Sequence, residues 1–546
     1  MHDTFYGSFC LILHSHIPYV FNHGMMGEEW LFEATAETYI PLLNIFNRLV
    51  REGIKPKITI NISPVLAEQL HMSCFNGRFK EYCKKKIEYA IKDAESFKNN
   101  SHMEWLATLW RKFYYRTQRA FVEDYEEDLI GAFKKLHDIG AIEIITCGAT
   151  HAYFPALIRD QSIQAQVKMA NKSCHELFGS FPAGFWLPEC GYRPSGNWSP
   201  ILSHYRHTVH YDHRQGIEEI LSQNDIKFFI IDQIQLQRGW SNEIELNPLE
   251  TFWIKNGSGP VSVFVRESKI SEQIWNHQIG YPGDPSYLEF HKKHFPGQHR
   301  YWRITDRTLD MDYKTLYYPQ EVKRERIPQH AGHYKWLIKK SLMDHFKDTG
   351  RASLIVTAFD SELFGHWWFE GPTWLYQLLK WINSDPEINL STCSEYIARQ
   401  SPQSLIHLPE SSWGKGYDSS TWINRDVEWV WERLYWAELE MGYLANDLSH
   451  REDEPLRSIL KQAVRELLIV QASDWEFMIT NWSTKDYAER RVVEHHSDFK
   501  RLVKMAWSYA MGNGISENDE KFLKECKIRD PIFTEPESKW YKNKAK

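Results

Sequence analysis

The stretch "SLIVTAFDSELFGHWW", residues 353–368, joins a short apolar run directly to two carboxylates, a histidine and two tryptophans. Continuous apolarity over about five residues is typical of a parallel strand that is buried on both faces. The acids, Asp360 and Glu362, come as soon as that run ends. The stretch therefore predicts a buried strand that delivers polar side chains to one edge of a sheet.

Similar apolar runs occur along the first 360 residues. They are "FCLIL" (9–13), "ITINI" (58–62), "IEIIT" (142–146), "GFWLP" (184–188), "FFIID" (228–232) and "VSVFV" (261–265). Helix-favouring segments precede several of them, and one such segment, "AETYIPLLNIFNRLVREG", ends at Gly53. Strands that alternate with helices predict a βα barrel or an open α/β sheet.

Polar residues follow or close six of these seven runs. They are His14 and His16, Thr150 and His151, Glu189, Asp232, Arg266, and Asp360. A polar residue at one strand end is often only a cap. In a barrel, however, all these positions meet at the carboxyl-terminal mouth, where active sites form. The pattern predicts an active site there.

Two regions depart from the strand–helix alternation. A charged, helix-favouring segment at about 79–140 is too long for a barrel connection and predicts a helical insertion. Near residue 400 the strand pattern stops, and residues 422–512 have helical periodicity. We therefore predict a catalytic barrel over 1–400 and a C-terminal helical domain over 401–546 that contributes to the active-site cleft.

Composition favours a globular protein without nucleic-acid or membrane partners. Charged residues make up 25% and the net charge is −7, which argues against nucleic acid and anionic membranes. The N-terminal apolar run lacks a basic flank and is interrupted by His14, so we do not interpret it as a secretory signal. Eight cysteines without CxxC spacing predict reduced thiols in a cytoplasmic protein. No feature of the sequence specifies an oligomeric state.

Aromatic residues make up 14% of the chain and include 23 tryptophans. Indoles stack on sugar rings while their N–H donates, so this content indicates carbohydrate binding about as well as a large aromatic core. The segment "SSWGKGYDSSTWIN", 411–424, mixes Gly and Ser with indoles and predicts a loop that presents tryptophans to a ligand. In "WVWERLYW" the aromatics have helical spacing, which favours packing.

Glu189 and Asp360 are the strongest candidates for chemistry. Glycosidic bond cleavage needs one protonated carboxyl group and one ionised carboxylate. Aromatic neighbours exclude water and raise the pKa of the acid, so the two groups can differ in protonation. Glu362 is the alternative to Asp360 as the catalytic acid. If the strand continues, the side chain of Glu362 lies on the same face as that of Asp360. If the chain turns, Glu362 instead holds a neighbouring loop in place.

Two other functions remain open at this point. His14, His16, His151 and Asp232 could form a metal site of the kind that metal-dependent polysaccharide deacetylases use. A metal site there would leave Glu189 and Asp360 without an obvious function. Neutral histidines can instead donate hydrogen bonds to sugar hydroxyls. The tryptophans alone would also fit a glucan-binding protein without catalysis.

Longer motifs resemble glycoside hydrolase family 57, most closely its α-1,4-glucan branching enzymes. The similarity runs in order through "LHSHIPYV", "EIITCGATHAYFP", "FWLPECGYRP", "VFVRESKISEQIW", "GYPGDPSYLEF", "AFDSELFGHWWFEGP", "SSWGKGYDSSTW" and "SDWEFMIT…YAERR". It covers nearly the whole chain. The resemblance implies an incomplete TIM-like (β/α)7 barrel, an α-glucan substrate such as amylose, starch or glycogen, and no metal or organic cofactor.

The resemblance also implies roles for single residues. Glu189 would be the nucleophile and Asp360 the acid/base of a retaining reaction that forms α-1,6 branches. Residues that match substrate-binding positions are His14, His16, His151, Arg266, Trp275, Gly283, Trp413, Asp474 and Ser483.

Three departures from the family pattern affect the balance between branching and hydrolysis. Ile234 replaces a usual histidine, and Asn481, Trp482 and Ser483 replace Thr-Gly-Gln. The loop 233–251 lacks the tyrosine that is thought to shield the intermediate from water in branching enzymes. We expect Trp240 to replace that shield in part, and an α-amylase-like hydrolase is the alternative function.

Overall fold

The computed structural model describes residues 4–207, 213–255 and 259–543, without the side chains of residues 206 and 207. Strands within these ranges are β1 (Gly7–Ser15), β2 (Ile58–Ile62), β3 (Ile142–Cys147), β4 (Gly184–Trp186), β5 (Phe228–Asp232), β6 (Phe252–Ile254), β7 (Val261–Arg266), β8 (Ser353–Asp360) and β9 (Ile388–Leu390).

Seven of these strands close a parallel barrel in the order β1-β2-β3-β4-β5-β7-β8, with β8 paired back to β1. The predicted seven-stranded (β/α) barrel is confirmed. Two short strands extend it, since β6 pairs antiparallel with β7 and β9 pairs parallel with β1. Neither was predicted, because three residues are too few to show a periodic pattern.

Helices cover the barrel and continue beyond it. Those before residue 400 are α1 (Met25–Ala34), α2 (Ile40–Arg51), α3 (Pro64–His71), α4 (Ser73–Ser96), α5 (Ser101–Arg119), α6 (Leu129–Asp138), α7 (Asp160–Phe178), α8 (Ile217–Gln223), α9 (Gln233–Arg238), α10 (Ser268–Trp275), α11 (Pro319–Glu321), α12 (Ile327–Thr349), α13 (Gly371–Asn383) and α14 (Cys393–Arg399). The later ones are α15 (Glu428–Leu448), α16 (Glu454–Val470), α17 (Asp474–Thr480), α18 (Lys485–Ala510) and α19 (Glu517–Arg529).

Alternation along the strands explains how the barrel interior ends in polar groups. Successive side chains of a strand point to opposite faces, so every second residue faces inward. The small apolar cluster inside the barrel contains alternate residues of β1, β5, β7 and β8: Cys10, Ile12, Phe228, Ile230, Phe264, Leu354, Val356 and Ala358. The next inward positions along the same strands are His14, Asp232, Arg266 and Asp360.

The strand register brings these four residues into adjacent pairs. His14 of β1 lies opposite Asp360 of β8, and Asp232 of β5 lies opposite Arg266 of β7. Their convergence at the mouth therefore follows from strand alternation and from the register of the barrel.

Helices outside the barrel form two groups. α3, α4, α5 and α6 lie between β2 and β3, and the long helix α4 begins at Ser73, earlier than the predicted 79. The C-terminal helices contact the loop after β1 through buried polar groups: Arg491 Nη1 donates to Tyr19 O at 2.5 Å, and His23 Nε2 lies 2.6 Å from Asp530 Oδ1. The division into domains at residue 400 stays a prediction.

Nowhere in the described ranges is a helix both long enough and apolar enough to cross a membrane.

Candidate active site

A cleft of about 650 Å³ opens at the carboxyl ends of the barrel strands. Nearly all the site residues predicted from the sequence line it. They are His14, His16, His151, Glu189, Arg266, Trp275, Asp360, Trp413, Asp474 and Ser483. The structure thus brings together residues that are up to 469 positions apart in the chain (483 minus 14).

Glu189 enters the cleft from a strained turn after β4. Its backbone has φ 60° and ψ 23°, and Cys190 has φ 49°, a left-handed conformation that non-glycine residues rarely adopt. Trp413 binds the turn twice: its backbone N–H donates to Glu189 O at 3.1 Å, and its indole N–H donates to Glu189 Oε2 at 2.8 Å. Strain of this kind persists where surrounding contacts hold a side chain for function.

Asp360 is the last residue of β8 and lies beside a buried cation. Arg266 Nη1 donates to Asp232 Oδ2 at 2.8 Å, and Arg266 Nε donates to Ala358 O at 3.0 Å. Burial raises the pKa of Asp360 to about 6, while the charges of Arg266 and His16 act against that rise. Asp360 therefore titrates closer to neutral pH than an ordinary aspartate does, although it is mostly ionised at pH 7.

Glu189 has the higher pKa of the two carboxyl groups. Burial raises it to about 8, and the charges of Asp360 and Asp474 raise it further, whereas hydrogen bonds from Trp413 and Ser473 lower it. We expected the aromatic walls to raise the pKa of the acid alone. Instead burial raises the pKa values of both groups, and that of Glu189 more, with a further contribution from the negative charge of Asp360.

Three histidines form one wall of the cleft. His151 stacks on His16 at 4.2 Å and on His14 at 5.0 Å, and His14 stacks on Trp186 at 4.8 Å between ring centroids. Burial lowers the pKa of His14 to about 3 and that of His151 well below its ordinary value. Both rings therefore offer hydrogen bonds rather than charge.

The C-terminal helical region contributes the part of the wall next to these histidines. His16 Nε2–H donates to Asp474 Oδ2 at 2.9 Å. Asp474, Phe477, Met478 and Asn481 all line the cleft. Their spacing of i, i+3, i+4 and i+7 places them on one face of α17 and its end. This helical spacing is the signal in the sequence that would have revealed Phe477, Met478 and Asn481, which we did not predict.

Glu362, the competitor of Asp360, serves the neighbouring loop. Its Oε1 accepts a hydrogen bond from the backbone N–H of His16 at 3.2 Å and another from the Tyr39 hydroxyl. The second of the two alternatives for Glu362 is thus confirmed. It also lines the cleft, and burial raises its pKa to about 8, so it remains close to neutral there.

The metal site considered from the sequence is not assembled as expected. Asp232 pairs with Arg266, so it does not join the histidines. His16, His151 and Asp474 do place one potential ligand atom each within 4.8 Å of one another. Hydrogen bonds already engage three of the four ring nitrogens, because His16 contacts Ser63 and Asp474 and His151 Nδ1 contacts Ser473. These residues are better described as a hydrogen-bonding wall.

Two predicted residues lie away from the cleft lining. Gly283 is packed beneath Arg307, whose Nε donates to Gly283 O at 2.8 Å, and an added Cβ would meet that guanidinium at 2.1 Å. Trp240 is 53% exposed and stacks on His407 with ring centroids 4.1 Å apart. Neither is among the described residues that line the cleft.

A tyrosine from another loop does line the cleft. Tyr417 is 38% exposed, and its carbonyl accepts a hydrogen bond of 2.7 Å from Arg238, at the end of α9. Arg238 also donates to Gly416 O at 3.1 Å. The loop predicted to present indoles therefore lines the cleft with Trp413, Tyr417 and Trp422, of which Trp422 is buried and stacks on Tyr153.

Comparisons with known proteins agree with this architecture. Residues 10–409 match the family model "Glycosyl hydrolase family 57", and residues 433–541 match "1,4-alpha-glucan branching enzyme, C-terminal". A curated relative, the 1,4-alpha-glucan branching enzyme of Thermococcus kodakarensis, is 38% identical over 96% of this chain and 77% of its own length.

Solved structures are also similar to this chain along nearly its whole length. The GH57-type branching enzyme of Pyrococcus horikoshii is 34% identical, with a TM-score of 0.91 over 99% of this chain and 97% of its own. The alpha-amylase AmyC of Thermotoga maritima is 28% identical, with a TM-score of 0.83 over 99% of this chain and 100% of its own. The barrel, the two carboxylates at its mouth and these matches together show that the chain belongs to glycosyl hydrolase family 57.

Proposed function

We propose that this chain is a 1,4-α-glucan branching enzyme, a retaining transglycosylase that cleaves α-1,4 bonds and forms α-1,6 branches in glycogen-type glucans. The observation that carries the proposal is the pair Glu189 and Asp360. They come from the ends of different strands and line one aromatic cleft, in which the charge of Asp360 contributes to the raised pKa of Glu189. The match of residues 433–541 to the C-terminal model of branching enzymes supports transfer, rather than hydrolysis, as the outcome.

The reaction assigns opposite tasks to the two carboxyl groups. Glu189, in its ionised form, attacks the anomeric carbon while Asp360 gives its proton to the leaving glycosidic oxygen, which leaves a covalent glucosyl-enzyme. Asp360 then removes the proton from a 6-hydroxyl of an acceptor glucan as that oxygen displaces Glu189. Two inversions at the anomeric carbon give net retention.

The cleft walls suit an α-glucan such as amylose, starch or glycogen. The Trp275 and Trp413 rings lie 6.2 Å apart at 24°, and indole faces stack on the apolar faces of sugar rings. Neutral His14 and His151 can exchange hydrogen bonds with sugar hydroxyls without placing a charge there. The eight cysteines form no disulfide, which supports the cytoplasmic location included in the proposal.

An α-amylase-like hydrolase is the second candidate. It shares the first half of the reaction and differs only in that water takes the glucosyl group. The observation that favours it is the loop 233–251, which carries no tyrosine and whose Trp240 stacks outside the cleft. The similarity to the alpha-amylase AmyC supports the same alternative.

The deciding experiment incubates the protein with amylose and counts two products. Proton NMR measures new α-1,6 linkages, and a reducing-end assay measures hydrolysis. We expect α-1,6 linkages to exceed new reducing ends, with neither product formed by Glu189→Gln. Reducing ends without branches would reassign the chain to hydrolysis. Full activity after exhaustive chelation would exclude the metal-dependent deacetylase.

A further inference from the structure

The loop 361–368, which follows Asp360, packs against a π-helical turn, Thr35–Tyr39, between α1 and α2. The two segments approach so closely that a Cβ added to Gly365 would lie 1.8 Å from the carbonyl oxygen of Glu37. Gly365 also has φ 114°, a conformation that favours glycine. π-helical turns are rare and occur frequently at functional sites. This turn fixes the course of the loop next to the proposed acid/base.

Glu37 holds the ring of His366 from this turn. Glu37 is only 3% exposed, and its carboxylate accepts from Arg300 Nη2 at 2.7 Å, from the Tyr114 hydroxyl at 2.9 Å and from His366 Nδ1 at 3.3 Å. Burial by itself would raise the pKa of Glu37, but the charge of Arg300 and the hydrogen bond from His366 lower it to about 2. An ionised carboxylate only accepts hydrogen bonds, so the bound Nδ1 of His366 carries a proton.

The other ring nitrogen of His366 is left for a ligand in the cleft. Glu33, His366 and Trp367 all line the cleft, and the Trp367 side chain is half exposed. One oxygen of Glu33, one oxygen of Glu37 and one ring nitrogen of His366 lie within 4.8 Å of one another. Within the described ranges, Nε2 of His366 has no hydrogen-bond partner, and it is not enclosed by protein. The three residues therefore combine an open indole face with two polar groups.

The charges around this group suit a neutral ligand better than a cation. Glu37 already pairs with Arg300, and Lys293 Nζ lies 3.5 Å from Glu33 Oε1. The charge of Lys86 also acts on Glu37. Three positive side chains thus face two carboxylates, which leaves hydrogen-bonding capacity for hydroxyl groups rather than a negative site for a metal ion.

The group lies on the side of the cleft that carries Asp360. The loop 361–368 continues directly from Asp360, whereas Glu189 contacts Trp413 and faces His151. In a retaining double displacement the two carboxyl groups flank the scissile bond, and the acid/base acts on both the leaving and the incoming oxygen. The glucan chain that receives the glycosyl group must therefore approach from the Asp360 side.

We propose that Glu33, His366 and Trp367 form the binding site for the first glucose unit of the acceptor glucan. The Trp367 indole stacks on the apolar face of that sugar, while the Glu33 carboxylate and Nε2 of His366 bind its hydroxyl groups. Phe290 supports the two rings, with centroids 5.1 Å from His366 and 6.5 Å from Trp367. The inference rests on the proposed function, because only transfer uses a glucan acceptor.

The test separates the two half-reactions with an α-maltotriosyl fluoride donor. Fluoride carries no sugar beyond the cleaved bond, so the acceptor site is empty in the first step and fluoride release reports the donor side. Added linear maltooligosaccharide then competes with water, and the acceptor concentration for half-maximal transfer measures acceptor binding. We expect Glu33→Gln and Trp367→Ala each to raise this concentration about tenfold, several times more than any fall in fluoride release. Saturating acceptor should restore transfer, because the lost contacts serve binding.

Two conservative variants and two controls separate binding from a loosened loop. His366→Asn keeps an N–H that can donate to Glu37 but removes Nε2, and should raise the acceptor concentration about fivefold. Trp367→Phe keeps an aromatic face and should raise it only about two- to threefold. Glu29→Gln makes the matched change at an exposed position of α1, and Trp336→Ala removes an exposed indole of α12. Neither control residue lines the cleft, so neither variant should change transfer.

An unchanged acceptor concentration for half-maximal transfer in Glu33→Gln, His366→Asn and Trp367→Ala would overturn the inference and leave the proposed function intact. An equal loss of fluoride release and of transfer would also overturn it, since the three residues would then serve the donor. If the unmodified protein releases fluoride but transfers nothing at any acceptor concentration, the proposed function fails instead.

Discussion

The barrel mouth and the segment 472–483 contribute to the same cleft in different ways. At the mouth, His14, Asp232, Arg266 and Asp360 continue the inward rows of their strands, and register pairs them. The segment 472–483 instead reaches the cleft from the helical region through contacts with His16 and His151. The barrel supplies the reacting groups, and the helical segment adjusts the charge and orientation of those groups.

The largest effect should come from the barrel side, at the nucleophile. Glu189→Gln keeps the size of the side chain and the bond from Trp413 but cannot form the covalent intermediate. We expect cleavage and branching to fall on the order of 10³-fold or more, measured by reducing ends and NMR, while amylose still binds. Retention of activity within tenfold would mean that Glu189 is not a reacting group and that the barrel mouth does not supply the nucleophile.

Asp360→Asn should have a large effect that depends on the substrate. Protonation of the leaving oxygen is needed for a glucosyl leaving group but hardly for an activated aryl leaving group. We expect a loss of on the order of 10²- to 10⁴-fold with amylose and a much smaller loss in the first step with an aryl maltooligoside. In Glu189→Gln the losses should be similar for both substrates. An equal loss with both substrates in Asp360→Asn would contradict the acid/base role.

These two predictions depend on residues that the sequence alone indicated, and for a physical reason. The end of a strand is visible in the local sequence, because an apolar run followed by Glu189 or Asp360 can be recognised without knowing the partner strand. The alternation of side chains along the strand then gives the face to which each side chain points. The contact of Ser473 with His151 spans 322 residues and is made by a helix junction, which no local pattern encodes. Asp474 was found only through the resemblance, and Gly283 shows that a motif match does not place a residue in the cleft.

Asp474→Asn tests the helical side, with an effect of intermediate size. Neutralising Asp474 weakens its 2.9 Å hydrogen bond with His16, and we expect kcat/KM at high pH to fall about five- to tenfold. The same change removes a charge that raises the pKa of Glu189, so the alkaline limb should move to lower pH.

The pH profile of Asp474→Asn is the measurement that tests the helical side. A shift of the alkaline limb to lower pH would show that the helical segment acts on the nucleophile through the charge of Asp474. A uniform loss of activity with unchanged limbs would mean that the substitution only loosens the helical wall. Leu460→Ala provides a control for loosening, because it removes a buried apolar side chain of α16 without a polar contact to the cleft.

The smallest expected effect concerns which aromatic group keeps water from the glucosyl-enzyme. Tyr417 lines the cleft, whereas Trp240 stacks on His407 outside it. Tyr417→Ala opens the wall to water, so the ratio of α-1,6 linkages to new reducing ends should fall about two- to fivefold, which corresponds to about 0.5–1 kcal/mol. Trp240→Ala should leave that ratio unchanged. A fall in the ratio in Trp240→Ala alone would return the shielding role to the loop 233–251, because only a rearrangement of that loop in the glucosyl-enzyme could bring Trp240 over Glu189.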